Sequence, residues 1–205
     1  MGLTAEQLRE GLDAVAAREP KIAKALKRVG YPEPRIRSTG CQTLLRTIVG
    51  QQVSVAAAAS VWNKLEAELG AAMHPHDLLA RDFHALRACG LSRQKQGYAR
   101  SLCELVVANE LDFNALPGDD EAAIEQLTRI KGIGRWSAEI YLLFAEGRPD
   151  IWPAGDLAVQ AGLARLLDLP ERPDEKATRA RAEPWRPHRG AMAIFTWHCY
   201  NNPAL

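Results

Sequence analysis

The stretch LTRIKGIGRWSAE, residues 127–139, decides the fold of this chain. An amphipathic run stops at KGIG, residues 131–134, and a second run begins directly after it. Glycine suits a tight corner between helices, because it tolerates positive φ and lets two backbones approach closely. We therefore predict a short corner between two helices. Such a corner does not by itself require the large aromatic Trp136 that follows.

The rest of the chain also has the helical period, and no run alternates with period two well enough to predict a strand. Residues that cap helix N-termini precede several runs: Thr4 with Gln7 in a capping box, Ser54, Ser92, and Asp119 or Asp120. After the corner, the pattern predicts helices over 135–145 and 156–167. We therefore predict an all-α fold of about ten helices.

Composition and charge limit the classes of protein. The 205 residues are 47% hydrophobic and 25% charged, which is ordinary for a globular protein. No apolar run is long enough to cross a bilayer, and the N-terminus lacks a signal-peptide pattern. The four cysteines are too scattered for a zinc motif, and we expect them to be reduced. With a net charge of +1, nucleic-acid binding would have to depend on local features.

The glycine corner is one such local feature. Glycines let a phosphate approach the backbone, and the first N–H groups of the following helix lie at a positive dipole end. This arrangement binds an anion without needing Lys or Arg side chains. The alternative is a plain helical hairpin whose glycines serve packing only, and the short G-x-G pattern alone favours that alternative.

Four stretches together resemble the HhH-GPD (helix-hairpin-helix) DNA glycosylases, most closely the bacterial 3-methyladenine DNA glycosylase II group. The most specific is LTRIKGIGRWSAEIYLLFAEGRPDIWPAGDLAVQ (127–160), which resembles the hairpin, the Gly/Pro-rich loop and the catalytic aspartate. The others are TIVGQQVSVAAAA (47–59), CGLSRQKQGYARSL (89–102) and WRPHRGAMAIFTW (185–197). The resemblance covers roughly residues 40–200.

The resemblance implies the helix-hairpin-helix glycosylase fold, with two helical subdomains flanking an active-site cleft. A barrel-like subdomain is expected over residues 41–145, and a second subdomain would pair 1–40 with 146–205. The implied partner is duplex DNA that contains a damaged base. We expect no membrane partner, a monomer, and a cytoplasmic, nucleoid-associated location. The extra N-terminal β-rich domain of the larger bacterial members is not expected in this chain.

Asp156 matches the catalytic aspartate of the family. Cleavage of the bond between base and deoxyribose passes through a cationic, oxocarbenium-like sugar, which a fixed carboxylate stabilises. The alternative reading of Asp156 is a simple N-cap, which local sequence alone favours, and one residue can serve in both roles. Asp150 is a second carboxylate, but it lies outside the motif position.

Two tryptophans match aromatic residues of the family's base pocket. Trp136 stands where family members that also cut the strand carry a nucleophilic lysine, so the resemblance implies an enzyme that leaves an abasic site. An aromatic face suits a cationic base such as 3-methyladenine or 7-methylguanine. Trp197, on the last helix, matches a second pocket residue. Taken singly, a tryptophan is more often a core residue, and we expect this for Trp62 and Trp185.

The remaining site residues are also implied by the resemblance. The DNA-binding hairpin comprises Lys131, Gly132, Ile133, Gly134 and Arg135, and Lys131 replaces the usual proline of the family. Gln52 matches the wedge that fills the gap left by an extruded base, although a solvent-facing loop glutamine is an equal alternative. Main-chain carbonyls of Thr128, Ile130 and Ile133 match a site for a Na⁺ or K⁺ ion. No other cofactor is expected, and only Cys199 lies where some relatives carry an iron–sulfur cluster.

Three functional hypotheses follow from these residues. The first is a monofunctional glycosylase that releases alkylated purines. The second keeps the fold and changes the lesion to a deaminated, oxidised or bulky alkyl base. The third is a non-enzymatic helix-hairpin-helix DNA-binding protein. A binding protein accounts for the glycines only, whereas an enzyme also accounts for Trp136 and Asp156, so we favour the first hypothesis.

Overall fold

The computed structural model describes residues 2–202, and within this range the chain contains helices and no β-strand. The predicted all-α class is therefore confirmed. The helices are α1 (Ala5–Ala16), α2 (Pro20–Val29), α3 (Cys41–Gly50), α4 (Val55–Leu69), α5 (Pro75–Ala80), α6 (Phe83–Ala88), α7 (Arg93–Val107), α8 (Asp120–Thr128), α9 (Arg135–Tyr141), α10 (Leu157–Leu166), α11 (Glu175–Ala182) and α12 (Arg189–Asn201). The described range contains twelve α-helices, against the predicted ten or so.

The chain forms two compact units. The central unit comprises residues 38–141, and the terminal unit combines residues 2–37 with 142–202 of the described range. The expected boundaries, at 40/41 and 145/146, lie three and four residues further along the chain than these. A single helix was predicted over 135–145, but α9 ends at Tyr141 and a π-helical turn follows over Leu142–Glu146. The second boundary therefore falls at this change of helix type.

Helix starts follow the capping residues of the sequence. The Thr4 side chain accepts the Gln7 N–H while the Gln7 side chain accepts the Thr4 N–H, which completes the predicted capping box. Ser54, Ser92 and Asp119 each accept an N–H from the first turn of the helix that follows. These caps fix the starts of α4, which follows the turn that contains Gln52, of α7, and of α8, which leads into the corner.

The central unit is built around α3 and α7. Leu44 and Ile48 of α3 are fully buried, as are Leu102 of α7 and Leu127 of α8. α7 packs against α3 and α5, and α8 packs against α9. Because α7 contacts so many neighbours, it can position both the loop after α3 and the corner after α8.

The terminal unit is organised by the pairing of α10 with α12. Gly162 of α10 lies so close to α12 that a Cβ there would overlap the carbonyl oxygen of Thr196. Leu163 and Phe195 are fully buried at this contact between the two helices. The close packing holds α10, whose N-cap is Asp156, against α12.

Other features agree with the sequence. Trp62 and Trp185 are buried, as predicted for core residues. All four cysteines are free, with Cys41 partly exposed and the other three buried, and burial raises the pKa of Cys199 to about 12. Among residues 2–202, no helix combines the length and hydropathy that a bilayer span requires.

Candidate functional site

The predicted corner lies between α8 and α9. After α8 ends at Thr128, the Ile130 carbonyl accepts the Ile133 N–H at 3.0 Å and closes the turn. The backbone ladder of α9 begins with the Ala138 N–H on the Gly134 carbonyl at 3.1 Å. The Ile133 side chain is buried, and this anchors the turn in the core of the central unit.

Gly132 is required at its position in the corner. Its φ is +82°, in the left-handed region that favours glycine, and a Cβ there would overlap the ring of Tyr98 on α7. One residue earlier, the Lys131 N–H donates to the hydroxyl of buried Ser101, also on α7, at 3.1 Å. The corner is therefore held from behind by two side chains of one helix.

Gly134 has a different environment. It is exposed, and a Cβ built on it would meet no atom within 4 Å. It also supplies the carbonyl at which the α9 ladder starts, so the positive end of the α9 dipole lies here. The open space and the polarity of this end suit the approach of an anion.

The two cationic side chains of the corner differ. Lys131 is exposed. Arg135 is held by the protein's own carboxylates: one guanidinium N–H donates to Glu121 Oε2 at 2.7 Å and another to Glu139 Oε1 at 2.9 Å. The hydrogen bond to Glu121 raises the pKa of Arg135 above the ordinary value of an arginine. The positive charge of Arg135 is thus neutralised locally, and its predicted contact with DNA stays a prediction.

Trp136 follows on the first turn of α9. It is 45% exposed, whereas the other four tryptophans of the chain are at most 6% exposed. An indole on the surface is unusual, because burying it would gain more from the hydrophobic effect. The structure therefore places Trp136 outside the core, as a contact with a base requires.

The turn between α3 and α4 carries the predicted wedge. Gln52 is exposed and has a φ of +54°, which non-glycine residues rarely adopt. The next residue, Val53, is also exposed, although it is apolar. Strained backbone with exposed side chains is typical of functional loops, and these features are consistent with the wedge interpretation of Gln52, which stays a prediction.

Two residues that sequence reasoning missed hold this turn. The Gln51 side-chain amide donates to the Gly132 carbonyl at 2.8 Å, and Lys95 Nζ donates to the Val49 carbonyl at 2.7 Å. Burial lowers the pKa of Lys95. The family resemblance of CGLSRQKQGYARSL (89–102) pointed to the segment that contains Lys95, but it gave no indication of the hydrogen-bond partner of Lys95.

In the terminal unit, Asp156 is the N-cap of α10. Its Oδ1 accepts the Val159 N–H at 2.9 Å and the indole N–H of Trp197 at 3.1 Å. The side chain is partly exposed and lies between the exposed residues Gly155 and Leu157. The two proposed roles of Asp156 are therefore compatible, because the cap bond and the indole bond orient the carboxylate of a residue that is only partly buried.

Trp197 is buried, so little of its ring surface is open to a base. It is 6% exposed, and its ring contacts Phe144 with centroids 5.6 Å apart. Its main polar contact is the N–H bond to Asp156. The predicted role as a pocket wall stays a prediction, whereas the contact with Asp156 assigns the indole a positioning role.

Arginines 35 and 37, which sequence reasoning also missed, cover these aromatic rings. The Arg35 guanidinium lies 5.3 Å from the centroid of Trp197, and that of Arg37 lies 5.5 Å from the centroid of Phe144. Burial, followed by the charge of Arg35, lowers the pKa of Arg37. These cation–π contacts place positive charge beside the ring that touches Asp156. The Arg-x-Arg spacing in a Pro-rich loop was the only signal for them in the sequence.

Asp150, the second carboxylate considered from sequence, has a structural role. It accepts hydrogen bonds from Arg186 and, at 2.9 Å through each oxygen, from the buried Arg189. Glu183 pairs with the same two arginines. Because its charge is used to neutralise a buried arginine, Asp150 is a poor candidate for a reacting group.

The corner was also expected to supply main-chain carbonyls for a monovalent cation, from Thr128, Ile130 and Ile133. The Ile130 carbonyl accepts one N–H in the turn, which leaves its second lone pair available. Across residues 2–202, no three side chains of His, Cys, Asp or Glu are grouped so as to hold a metal ion.

Comparisons with known proteins identify the family of the chain. A family model described as the HhH-GPD superfamily base excision DNA repair protein matches residues 45–187. This range includes the wedge turn, the corner and Asp156, and it covers well over half of the chain.

Relatives of known name are similar along most of the chain. The DNA-3-methyladenine glycosylase 1 of Schizosaccharomyces pombe is 32% identical over 160 residues, which cover 76% of this chain and 70% of that protein. A crystal structure of a DNA-3-methyladenine glycosidase from Bacillus halodurans superposes with a TM-score of 0.88 at 29% identity, covering 94% of this chain and 89% of that one. The S. pombe 3-methyladenine DNA glycosylase Mag1 in complex with abasic DNA gives 0.81 at 28% identity, with coverages of 96% and 98%.

Proposed function

Because the chain belongs to the HhH-GPD superfamily of base excision DNA repair proteins, we propose that it is a DNA glycosylase that releases alkylated purines from duplex DNA. The substrates would be of the 3-methyladenine and 7-methylguanine type, and the product would be an abasic site. The observation that carries this proposal is the Asp156 carboxylate, which two N–H donors orient while it remains partly exposed.

In this proposal Asp156 stabilises the sugar as the glycosidic bond breaks. Positive charge develops on the deoxyribose, and a carboxylate that is already oriented interacts with it without further reorganisation. The Val159 N–H and the Trp197 indole hold the same oxygen, Oδ1, so rotation of the carboxylate is restricted. The leaving base takes the electron pair of the glycosidic bond, and a water molecule then adds to C1′ and releases one proton to the solvent.

The alkylated base itself reduces what the protein must supply. A 3-methylated adenine is cationic, so it leaves as a neutral base and needs no strong general acid. The exposed indole face of Trp136 suits a cationic ring. Because an indole has no amine that could attack C1′, we propose that the enzyme does not cleave the strand.

In this proposal, the protein main chain at the corner makes the main contribution to DNA binding. The open approach at Gly134 and the dipole of α9 suit a phosphate, and the exposed Lys131 adds one positive charge. This accounts for DNA binding by a chain with a net charge of only +1. A monovalent cation on the carbonyls of Thr128, Ile130 and Ile133 would add positive charge near that phosphate. We also propose a monomer.

The proposal is tested by incubating the protein with a panel of defined lesion duplexes. Release of free 3-methyladenine and 7-methylguanine, with abasic sites that stay intact until alkali is added, is the expected result. Trapping with borohydride should give no covalent complex, since no amine attacks the sugar. Release of only deaminated, oxidised or bulky bases would change the substrate class, and tight binding without release from any lesion would favour a DNA-binding protein.

The role of Trp197 leads to a separate prediction. Trp197→Phe keeps an aromatic ring against Phe144 but removes the N–H bond to the Asp156 carboxylate. Hydrogen bonds to charged groups contribute about 1.5–3 kcal/mol, so the single-turnover rate of base release should fall roughly 10- to 100-fold. Affinity for DNA should stay near the wild-type value.

A matched control for this prediction is Trp152→Phe. Trp152 is a buried indole of the same unit, and its N–H donates to the Thr178 carbonyl at 3.1 Å. This variant loses a comparable indole hydrogen bond without touching Asp156. Equal rate losses in the two variants would mean that Trp197 contributes to folding and not to the orientation of Asp156.

A further inference from the structure

The wedge turn and the hairpin corner are joined by direct contacts within the central unit. The side-chain amide of Gln51, the residue directly before the predicted wedge, donates to the Gly132 carbonyl at 2.8 Å. Gly132 is the corner residue with a φ of +82°. One hydrogen bond therefore connects the neighbour of Gln52 to the most constrained point of the corner.

Helix α7 supports the same two segments from behind. Lys95, in its first turn, donates to the Val49 carbonyl near the end of α3, just before the wedge turn. Tyr98 packs against Gly132, and Ser101 accepts the Lys131 N–H. These three residues are spaced by three along α7, so they lie on one side of the helix.

The contact of Lys95 is not that of an ordinary surface lysine. Lys95 is partly buried, although burying an ammonium group is costly unless its donors are paired. The carbonyl that it contacts belongs to the last turn of α3, where carbonyls lack partners within the helix. Lys95 thus caps α3 and fixes the point from which the wedge turn departs.

We infer that Gln51 and Lys95 are positioning residues that hold the Gln52 wedge in a fixed register relative to the hairpin. When the hairpin binds a DNA phosphate, Gln52 is then already at a set distance along the strand. Binding of the DNA backbone and insertion of Gln52 into the gap left by the extruded base therefore occur together. This inference rests on the proposed function, because it requires the hairpin to bind DNA and Gln52 to enter the duplex.

Loss of either contact should separate binding from insertion. Gln51→Met and Lys95→Met keep the length of the side chain and remove its hydrogen bond. The corner itself would remain, because Tyr98, Ser101 and Ile133 still hold it. We therefore expect normal affinity for DNA with reduced insertion of Gln52.

The experiment uses a duplex with a tetrahydrofuran abasic analogue opposite 2-aminopurine, whose fluorescence rises when it is unstacked. Wild-type protein should raise the fluorescence at saturation. Gln51→Met and Lys95→Met should give less than about half of that rise, with a Kd within about threefold of wild type. The matched control is Gln42→Met, because Gln42 lies on α3, the helix that Gln51 directly follows, and donates to the carbonyls of Ala71 and Ala72 instead of the Gly132 carbonyl.

The inference would be overturned if Gln51→Met and Lys95→Met raised the 2-aminopurine fluorescence as much as the wild-type protein does. It would also be overturned if these two variants and the control Gln42→Met all lost affinity for the duplex. The second measurement is the rate of base release. The two variants should release a damaged base more slowly when it is paired with thymine. They should release the same base at the wild-type rate when it lies opposite an abasic site, because an unpaired base needs little extrusion from the duplex. Equal slowing on both duplexes would indicate a general structural defect and would also overturn it.

The same experiment separates this inference from the proposed function. Wild-type protein that raises the fluorescence and releases no alkylated base would contradict the proposed activity and leave the inference standing. Wild-type levels of release and of fluorescence in both variants would contradict the inference and leave the activity standing.

Discussion

Replacing Gly134 with glutamate should weaken the binding of duplex DNA roughly 10- to 100-fold. The Cβ at this position would meet no atom within 4 Å, so the fold should tolerate the side chain. The carboxylate would occupy the space in which we place a phosphate, and it would oppose the phosphate charge at the positive end of α9. Fluorescence anisotropy with an undamaged duplex at fixed salt measures the effect.

The control for this variant is Ala67→Glu, which places the same charge on an exposed position of α4 in the same unit. Its Kd should change by less than about threefold, because screening weakens distant surface charges. Comparable weakening by the two variants would mean that net charge, rather than the approach at Gly134, controls the affinity. Thermal unfolding of both variants shows whether the fold has been kept.

Replacing Asp156 with asparagine should lower the single-turnover rate of 3-methyladenine release by about 10³-fold, in the range expected when a preorganised electrostatic group is lost. Asparagine caps helices as well as aspartate does, so the Val159 N–H keeps an acceptor and α10 keeps its start. The variant should fold normally and should bind abasic DNA.

Asp174→Asn is a close match for that change. Asp174 is the N-cap of α11 in the same unit, and its carboxylate accepts the Ala177 N–H at 2.7 Å. The substitution removes the same charge from the same kind of helix terminus and should leave base release unchanged. Full activity in Asp156→Asn would end the assignment of Asp156, and equal losses in the two variants would reduce it to a helix cap.

The sequence was sufficient to predict the local structure that depends on neighbouring residues. Thr4 with Gln7, Ser54 and Ser92 cap helices as predicted, because a cap involves residues only two or three positions apart. The corner at KGIG, residues 131–134, was predicted for a similar reason, since two glycines between amphipathic runs leave few alternatives.

The contacts that position the site could not be predicted in this way. Trp197 is 41 residues from Asp156, and Gln51 is 81 residues from Gly132. Such pairs depend on how helices pack, and no local pattern in the sequence encodes a single long-range hydrogen bond. The sequence therefore indicated which residues belong to the site, and the structure supplied the partners that hold them.

Arg135 and Lys95 illustrate how burial changes the reading of a cationic residue. The sequence assigned Arg135 to the DNA-binding hairpin, and the structure adds that its guanidinium donates to Glu121 and Glu139. Lys95 suggested only a family motif, but in the structure it caps α3. Both contacts arise because a partly buried cation needs acceptors inside the protein.

The central claim, that the Asp156 carboxylate stabilises a cationic sugar, is tested most directly by comparing two abasic analogues in duplex DNA. One carries a neutral tetrahydrofuran, and the other carries a pyrrolidine of similar shape that is protonated at neutral pH. Wild-type protein should bind the pyrrolidine duplex at least about tenfold more tightly, and Asp156→Asn should bind the two duplexes equally. The same preference for the cation in both proteins would contradict the claim.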